Sequence, residues 1–475
     1  MPVALPNSEI SIVDGGLGIV GSGANTTGKI GVSSAGTVNS FYSYSGTDTS
    51  RVVTDLGTGP LVDSIIMHLL ESGGAPVIAY KATSSTAGTS TAVTQTGTGP
   101  TVTLTGAPND QHEAIVEVMV GGVLGTSQIR YSLDGGDTWV GNLATAATIL
   151  LPSGVTINMA AGSYVVGTTY AWTDTAPAMT TTNVGDALDA FIVSPFDVEF
   201  IHVVGQAADA AAAATMFATL ASKVTSAHAA HKYLWILFEA PAVDKANLAS
   251  SFAALESRFV AGAAGFCELL SPRTQRVQKR SSGRVLAPRI ARNPIAIHPL
   301  RDVGDSDVDP ISSIVRLVPA GAAASTGYHD EELTPGLNAA RFMTLRTITG
   351  RGGFYPSNGI TFASGTSDFQ ILMNMRIVLA GARAWYQYTL TQLARRIRRD
   401  PTTGYIDPAF ADAIQTAGEA VLRAALGDAV RAVRVLVNRT DNLASDPTLR
   451  AKLRFVLDGY ALEYESELGL ASSLS

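Results

Sequence analysis

The 475-residue sequence has very little cysteine, and its one cysteine, Cys267, cannot form a disulfide within the chain. No uninterrupted apolar run approaches the roughly 18 residues that a membrane-spanning helix needs. The nearest candidate, residues 207–224, is interrupted by Asp209 and Lys223, and half of its residues are alanine. The first residues, MPVALPNSEISIVDGG, lack the basic and apolar regions of a secretory signal. The sequence therefore predicts a soluble protein that is cytoplasmic when it is synthesised.

Charged side chains are also scarce, at 15% of the residues, whereas glycine is abundant with 46 residues. The formal net charge is −7, from 33 Lys and Arg against 40 Asp and Glu. The chain thus lacks the basic excess of a dedicated nucleic-acid-binding protein. A surface so poor in charge is tolerated in polymer subunits, which hide much of it in contacts, and in many β-rich domains.

Two segments of the chain predict α/β structure. In the first, KIGVSS from Lys29 predicts a strand, GPLVDSIIMHLLESGG from Gly59 a helix, and VIAYKA from Val77 a second strand. In the second, VEFIHVVG predicts a strand, residues 207–224 a helix, and YLWILF (233–238) a strand that is buried on both faces. Between them, short alternating runs such as TVTLTG and AIVEVMVGG are typical of a small all-β sandwich or barrel.

The predicted fold class is therefore a multidomain α/β (α+β) protein, in which an all-β domain is inserted into an α/β core. The expected domains are an extended N-terminal arm, residues 1–20; the first part of the α/β domain, residues 21–91; an inserted β-sandwich-like domain, residues 92–178; the second part of the α/β domain, residues 179–345; and a C-terminal domain of helices with a terminal arm strand, residues 346–475.

The C-terminal domain begins with a long apolar helical pattern that is predicted to end before Asp400 and Pro401. A second helix is expected from the Asp407 cap to Leu426, followed by strands over residues 432–440 and 452–470. The last strand is too long for an ordinary sheet, and its apolar residues change face at Gly459, which predicts a bulge. Its unpaired backbone groups, like those of the N-terminal arm, would be satisfied by neighbouring copies of the chain.

Two stretches come close to motifs that carry chemistry. GANTTGKI, from Gly23 to Ile30, nearly matches the phosphate-binding loop GxxxxGK[ST], but Ile30 replaces the hydroxyl that would hold Mg²⁺. We interpret it as a bend that leads into a strand. SLDGGDTW, from Ser132 to Trp139, fits the Asp-box pattern SxDxGxTW. We interpret it as a structural hairpin turn, with carbohydrate binding as the alternative.

The sequence predicts no catalytic, metal or cofactor site. The seven histidines show no metal-ligand spacing, and even His228 and His231 lack a nearby acidic or cysteine partner. Cys267 lies in the apolar stretch AAGFCELL, which favours a buried, inert thiol over a nucleophile. We therefore expect no enzyme activity and no cofactor.

Basic residues form two clusters. Residues 273–301 hold eight basic side chains and no acidic one, but aromatic residues for stacking on bases are missing. Subunit contacts or a solvated face are therefore favoured over nucleic-acid binding. The second cluster, Arg395, Arg396, Arg398 and Arg399, is expected to close the long helix, where cations favour the helix dipole. It either faces solvent or docks on an acidic partner.

In its order of parts, the sequence resembles the contractile phage tail sheath proteins, a family shared with R-type bacteriocins and related contractile injection systems. The stretches that carry the resemblance are TGKIGVSSAGTVNSFYSYSGTDT, DLGTGPLVDSIIMHLLESGGAPVIAYKA, RTITGRGGFYPSNGITFASGTSDFQILMNMRIV (346–378), VRVLVNRTDN and LRFVLDGYALEYESELGL. They cover most of the chain outside the predicted insertion.

The resemblance implies a structural subunit that polymerises helically around an inner tail tube and contracts to drive the tube through a cell envelope. The implied partners are further copies of the chain, the tube protein, and baseplate and tail terminator proteins, without direct nucleic-acid contact or membrane insertion. The implied location is the virion tail, after assembly in the bacterial cytoplasm. The alternatives are another virion structural protein, such as a tube or decoration subunit, or an Asp-box carbohydrate-binding protein or enzyme.

The resemblance also implies site residues, because sheath subunits pair their terminal arms against the C-terminal sheet of a neighbour. The implied intersubunit mesh consists of Val3, Leu5, Ile10, Ile12, Val433, Val435, Val437, Leu453, Phe455, Leu457, Tyr460, Leu462 and Tyr464. From their charge, we expect Arg395, Arg396, Arg398 and Arg399 to contact the tube.

Overall fold

The computed structural model describes residues 26–441 and 448–462 of the chain. The chain divides after Met375 into two compact units. The predicted fold class, mixed α/β with several sheets, is confirmed. Within the described ranges, none of the helices combines the length and the apolar character that a membrane span requires.

The first elements follow the predicted strand, helix and strand pattern closely. Helix α2 (Pro60–Glu71) begins with proline at its first position, where the missing amide is no loss, and glycines with positive φ at 73 and 74 follow its end. The elements are β1 (Thr27–Gly31), β2 (Ser40–Tyr44), α1 (Ser50–Leu56), α2 (Pro60–Glu71) and β3 (Val77–Lys81).

The next ten strands form antiparallel sheets with a hydrophobic cluster of their own, which includes Val116, Ile129, Tyr170 and Trp172. The strands are β4 (Thr94–Thr96), β5 (Val102–Thr105), β6 (His112–Val120), β7 (Gly122–Val123), β8 (Gln128–Ser132), β9 (Val140–Ala144), β10 (Thr148–Leu150), β11 (Thr156–Met159), β12 (Ser163–Tyr164) and β13 (Thr169–Asp174). The main sheet has the order β4-β13-β6-β8-β9, and the smaller sheets are β10-β11-β5 and β12-β7.

The two chain segments that enter and leave this all-β region run side by side as a stalk. Thr86 and Ala178 exchange two backbone hydrogen bonds, of 3.2 and 2.9 Å. Farther along, Thr175 N donates to Thr89 O at 2.8 Å. The chain therefore enters and leaves the all-β region side by side, through one hydrogen-bonded stalk.

Helices and strands then alternate again. Helix α4 (Ala210–Ala229) begins three residues later than predicted, because the side chain of Asp209 accepts a hydrogen bond from Ala212 N and caps the helix there. The elements are α3 (Thr181–Val193), β14 (Phe200–Gln206), α4 (Ala210–Ala229), β15 (Trp235–Glu239), α5 (Lys245–Phe252), β16 (Val260–Ala263), β17 (Phe266–Leu270), β18 (Val277–Ser281), α6 (Gly283–Arg292), β19 (Ile314–Arg316), β20 (Phe342–Met343), β21 (Leu345–Ile348) and β22 (Arg351–Pro356).

A seven-stranded sheet, in the order β2-β3-β1-β14-β15-β16-β20, organises the first unit. Every neighbouring pair is parallel except β2 with β3. Helices α3, α4 and α5 pack on one face through a cluster that includes Ile201, Phe217 and Phe238. Helices α2 and α6 cover the other face. The predicted strand at YLWILF is confirmed, since β15 is buried on both faces.

Helix α7 (Leu372–Gln392) spans the division between the units, and α8 (Pro408–Leu426), β23 (Ala432–Val437) and β24 (Ala451–Val456) complete the second unit. The predicted start of α8 is confirmed, because the side chain of Asp407 accepts hydrogen bonds from two amides of the first turn. Buried residues of α8, Ile414 and Leu422 among them, pack with the valines of β23 in one cluster.

Candidate interaction site

The β23–β24 hairpin of the second unit brings together five residues of the predicted mesh, Val433, Val435, Val437, Leu453 and Phe455. The strands are antiparallel, and Val433, Val435 and Val437 lie opposite Phe455, Leu453 and Ala451. The three valines are buried, and the β24 residues pack half-buried in the same cluster. The sheet therefore has one apolar face on the core and one face in solvent.

The two outer edges of this hairpin differ. The amides of Val435 and Val437 point away from β24, and they donate to the side-chain oxygens of Glu419 and Gln415, at 3.0 Å each. Across the hairpin, the backbone groups of Leu453 and Phe455 point away from β23. Among the described residues, β24 pairs with β23 alone. The edge of β23 is thus covered by α8, whereas no other described strand pairs with the outer edge of β24.

Sequence reasoning missed Gln415 and Glu419. They lie four residues apart beside the buried stripe of α8, and this spacing places them on one face of the helix. That spacing was the available signal, but the sequence could not show that a strand edge lies next to this face.

The predicted long terminal strand is wrong for the described residues. Strand β24 ends at Val456, because its partner β23 begins opposite at Ala432. The next residues, Leu457, Tyr460 and Leu462, lie beyond the strand in irregular structure. Tyr464 and the four arm positions, Val3, Leu5, Ile10 and Ile12, lie outside the described residues. The mesh role of all these positions stays a prediction.

The predicted position of the second basic cluster at a helix end is also wrong. Helix α7 ends at Gln392, and the four arginines follow in an irregular loop in which Ala394 has a positive φ of 58°. The loop turns there because Ile397 packs into the hydrophobic cluster of the second unit. The side chains of Arg395, Arg396, Arg398 and Arg399 are all exposed. They form a basic surface, and the helix dipole does not account for it.

The lysine of the near phosphate-binding loop is buried in the first unit. Lys29 lies in β1, and its Nζ contacts Ser64 Oγ at 2.9 Å and His202 Nδ1 at 3.0 Å. A ligand phosphate could not reach this nitrogen without opening the sheet. The strand predicted here is confirmed, and the glycine at 23 lies outside the described residues.

Lys29 belongs to a buried charged cluster between the sheet and helices α2 and α6. Glu239 accepts from Arg284 Nε at 2.5 Å, and its carboxylate lies 3.1 Å from His202 Nε2. Burial lowers the pKa of Lys29 well below its usual value and that of His202 to about 4. Burial alone would raise the pKa of Glu239, but Arg284 and His202 hold it at about 2. The sequence signal was a set of ionisable residues inside strands that are otherwise apolar.

We expect the chain to lose stability as the pH falls from about 6.5 towards 4. In this window the unfolded chain protonates its histidines, whereas His202 stays neutral in the fold. The unfolded state then binds more protons, and linkage lowers the free energy of unfolding by about 2 kcal/mol between pH 7 and 5 for this group. Burial lowers the pKa of His68 as well and adds to the loss. The measurement is the urea midpoint at both pH values.

The matched pair of variants for this measurement is His202→Gln and His231→Asn. The first removes the buried titrating group and should reduce the pH dependence of the midpoint. The second changes an exposed histidine with positive φ, a conformation that asparagine tolerates, and should leave the dependence unchanged. An unaltered chain with equal midpoints at pH 7 and 5 would contradict the prediction.

The basic stretch of residues 273–301 contributes to a second buried ionic cluster. Arg280 Nη2 lies 2.8 Å from Asp63 Oδ2 of α2 and 2.6 Å from Asp110 Oδ2, which precedes β6. Arg273 also pairs with Asp63 at 3.3 Å. Burial raises the pKa of Asp110, whereas Arg280 and Arg273 hold the pKa of Asp63 below its usual value despite its burial.

The expectation of a solvated face or of subunit contacts is therefore wrong for much of this stretch. Arg280, Arg284 and Arg289 are buried. Arg289 Nη1 pairs with Asp309, the last of the aspartates that follow the stretch. These guanidinium groups hold segments of the first unit together and are not available to a nucleic acid.

The Asp-box stretch forms the turn between β8 and β9, and its interpretation as a structural hairpin is confirmed. Asp134 accepts hydrogen bonds from the amide and the hydroxyl of Thr138, at 2.9 and 2.7 Å. The guanidinium of Arg130 lies over the ring of Trp139, 4.1 Å from its centroid. The carboxylate is thus engaged within the turn itself.

Cys267 is buried in β17, as predicted, and burial raises the pKa of its thiol far above the usual value. A raised pKa keeps the thiol protonated and unreactive. Over residues 26–441 and 448–462, no group of three or more His, Cys, Asp or Glu side chains is arranged to hold a metal ion.

Comparisons with solved structures place this fold among contractile sheaths. The chain is similar to a protein of the PVC sheath complex, an extracellular contractile injection system in the contracted state, with 10% identity, 99% of each chain covered and a TM-score of 0.55. It is also similar to the contracted helical sheath of the anti-feeding prophage (AFP), with 10% identity, 99% of this chain and 100% of that chain covered, and a TM-score of 0.50. The sheath tail protein of Desulfitobacterium hafniense shares 12% identity over 96% of this chain and 100% of its own, with a TM-score of 0.44.

At these identities the likeness shows the fold, and it confirms the predicted resemblance at that level. No curated protein matches the chain significantly. A family model described as DUF2586, N-terminal domain, matches residues 5–360, about three quarters of the sequence. The chain, whose fold is that of the contractile sheath proteins, therefore belongs to the DUF2586 family.

Proposed function

We propose that the chain is a structural subunit of a contractile sheath, and not an enzyme. The observation that carries the proposal is the likeness to a contracted sheath protein over 99% of both chains, with a TM-score of 0.55. The subunit polymerises helically around an inner tube, and its other partners are the baseplate and terminator proteins. Its place is the tail of a virion or a related particle, assembled in the bacterial cytoplasm.

The outer edge of β24 supports self-assembly by strand addition. Its outward backbone groups lie on Ala451, Leu453 and Phe455, and an extended segment of a neighbour can pair with them. We propose the N-terminal arm of a neighbour, with Val3 to Ile12, as that segment. Such a joint adds about four to six backbone hydrogen bonds, each worth roughly 0.5 to 1.5 kcal/mol.

Contraction then proceeds by movement of subunits as nearly rigid bodies while the mesh keeps them joined. The extended lattice stores the work and is held kinetically until it is triggered. We propose that the exposed loop with Arg395, Arg396, Arg398 and Arg399 contacts the inner tube. Four exposed cations in five residues favour an acidic partner surface, because opposite charges attract across an interface.

Electron microscopy of the purified chain tests the function. The unaltered chain is expected to form tubes or rings, and Leu453→Pro is expected to abolish them. Proline at 453 removes an outward amide but none of the hydrogen bonds to β23, which use the residues of opposite parity. Leu453→Ala loses the same side chain, keeps the amide, and should still assemble.

If the chain alone stays monomeric, the purified inner tube protein of the same particle is added as a template. Decoration of the tube by the unaltered chain and by Leu453→Ala, but not by Leu453→Pro, is the result that the proposal requires. A chain that remains monomeric with the tube present would contradict the sheath function. Equal assembly of all three proteins would contradict the role of the β24 edge.

A further inference from the structure

A cavity of about 630 Å³ lies in the first unit, at the carboxyl end of the parallel strands. Val203 and Gly205 of β14 line it, together with Pro60 at the start of α2. The strand order reverses beside it, because the chain places β3 on one side of β1 and β14 on the other. Open α/β sheets bind ligands at such a switch point. The volume also lies within the range of small-molecule sites, about 300 to 1,000 Å³.

Two buried arginines, Arg280 and Arg284, line this cavity, and each is only 6% exposed. Arg280 is engaged by the carboxylates of its ionic cluster. Arg284 donates from Nε to Glu239 and from Nη1 to Pro60 O, at 2.8 Å for the latter. Among the residues that the structure describes, none accepts from Nη2 of Arg284. A buried N–H group without an acceptor is costly, and an oxygen of a ligand in the cavity would satisfy it.

The N-termini of three helices meet at the same cavity. Residues in the first turns of α3, α4 and α6, namely Thr181, Ala212 and Arg284, line it. These helices have 13, 20 and 10 residues. The amino end of a helix carries a partial positive charge and unpaired amides, and both favour an anion. The field of the backbone in the cavity therefore has the same sign as that of the arginines.

The remaining lining limits the kind of anion. The ionisable residues of the described lining are two arginines and Asp110, which gives a formal charge of +1. Both oxygens of Asp110 are engaged, Oδ1 by the amide of Gln111 at 2.8 Å and Oδ2 by Arg280. Most other lining side chains are small or apolar, among them Val184 and Met216. A ligand with a single negative charge and an apolar body matches this lining.

We propose that this cavity binds a small organic anion with an apolar body, such as a medium-chain carboxylate, and that Nη2 of Arg284 donates to its charged group. The inference goes beyond the proposed function, because it gives the subunit a ligand that assembly does not require. Thr86 and Ala178 of the stalk line the cavity as well. The bound anion would therefore contact both the stalk of the all-β region and the α/β sheet.

The test is a calorimetric titration of the full chain with octanoate at pH 7. Two further ligands separate the two parts of the proposal, since octanol has the apolar body without the charge and acetate has the charge without the body. Octanoate should bind at one site and about tenfold more tightly than either, because a hydrogen bond to a charged group contributes more than one to a neutral group. Equal binding of octanoate and octanol would overturn the role of Arg284, and no binding of octanoate would overturn the site.

A matched pair of variants locates the bound octanoate. Ala212→Phe fills part of the cavity and should weaken binding about tenfold or more, whereas Ala211→Phe changes an exposed neighbour outside the lining and should bind like the unaltered chain. Equal binding by the two variants would place octanoate elsewhere and overturn the proposal.

Arg284→Lys is the second, independent variant. Its single nitrogen stays with Glu239 and leaves no donor in the place of Nη2, so octanoate should bind several-fold more weakly while octanol is unaffected. Unchanged octanoate binding by this variant would contradict the assigned donor. Circular dichroism of each variant ensures that a change in binding does not reflect unfolding.

Discussion

Replacing Arg280 by methionine is expected to lower the free energy of unfolding by about 3 to 5 kcal/mol. The guanidinium lies between Asp63 and Asp110 in the interior, so its removal leaves Asp110 without its arginine and Asp63 with only the longer pair to Arg273. The measurement is a urea titration followed by tryptophan fluorescence, which mainly reports the first unit because Trp139, Trp172 and Trp235 lie there.

Arg316→Met is the matched control for this change. Arg316 also pairs with two carboxylates, those of Asp137 and Glu268, but its side chain is 44% exposed. An exposed pair contributes at most about 1 kcal/mol. A variant that combines Arg280→Met with Asp63→Asn and Asp110→Asn should recover much of the loss. Equal destabilisation by Arg280→Met and Arg316→Met would contradict the buried cluster as the cause.

Reversing the charge of the exposed loop is expected to abolish decoration of the inner tube. The variant is Arg396→Glu/Arg398→Glu/Arg399→Glu, and it leaves Arg395 in place because that side chain lies over the ring of Phe410. Three reversals change the charge of the loop by six units and turn attraction to an acidic surface into repulsion. The measurement is co-sedimentation of the variant with purified tubes, at low and at high salt.

Arg51→Glu/Arg292→Glu, two exposed reversals in the first unit, is the control for a general effect of charge. It should decorate the tube like the unaltered chain. Decoration by the unaltered chain should weaken with added salt, since salt screens exposed charges. Decoration by the loop variant at the level of the control would show that these arginines do not contact the tube.

The sequence predicted the elements whose signals are local. The Asp407 cap and the pattern behind it predicted α8, and the apolar run at 233–238 predicted a buried strand. Prediction from the sequence failed where a residue in another part of the chain determines the end of a helix or strand. Strand β24 stops at Val456 because β23 offers no further partner, and α7 stops at Gln392 because Ile397 turns into the core.

The buried charges could not be predicted for the same reason. Arg280 and Asp110 are 170 residues apart in sequence, and Lys29 and His202 are 173 apart. Without the fold, a run of arginines without acids suggests an exposed surface, whereas the acids that neutralise it lie in other elements. The mesh and tube residues could be proposed from the resemblance, but the acceptors on α8 became visible only when the edge of β23 was in place.

The stalk at Thr86 and Ala178 has a consequence for the evolution of the chain. Because the all-β region enters and leaves through two adjacent, hydrogen-bonded chain segments, a single recombination event can exchange the region without rerouting the α/β sheet. The exchange is not entirely free, since Asp110 travels with the region and Arg280 stays behind. A transplanted region must therefore bring its own carboxylate to this position, and that requirement links the histories of two segments that are far apart in the sequence.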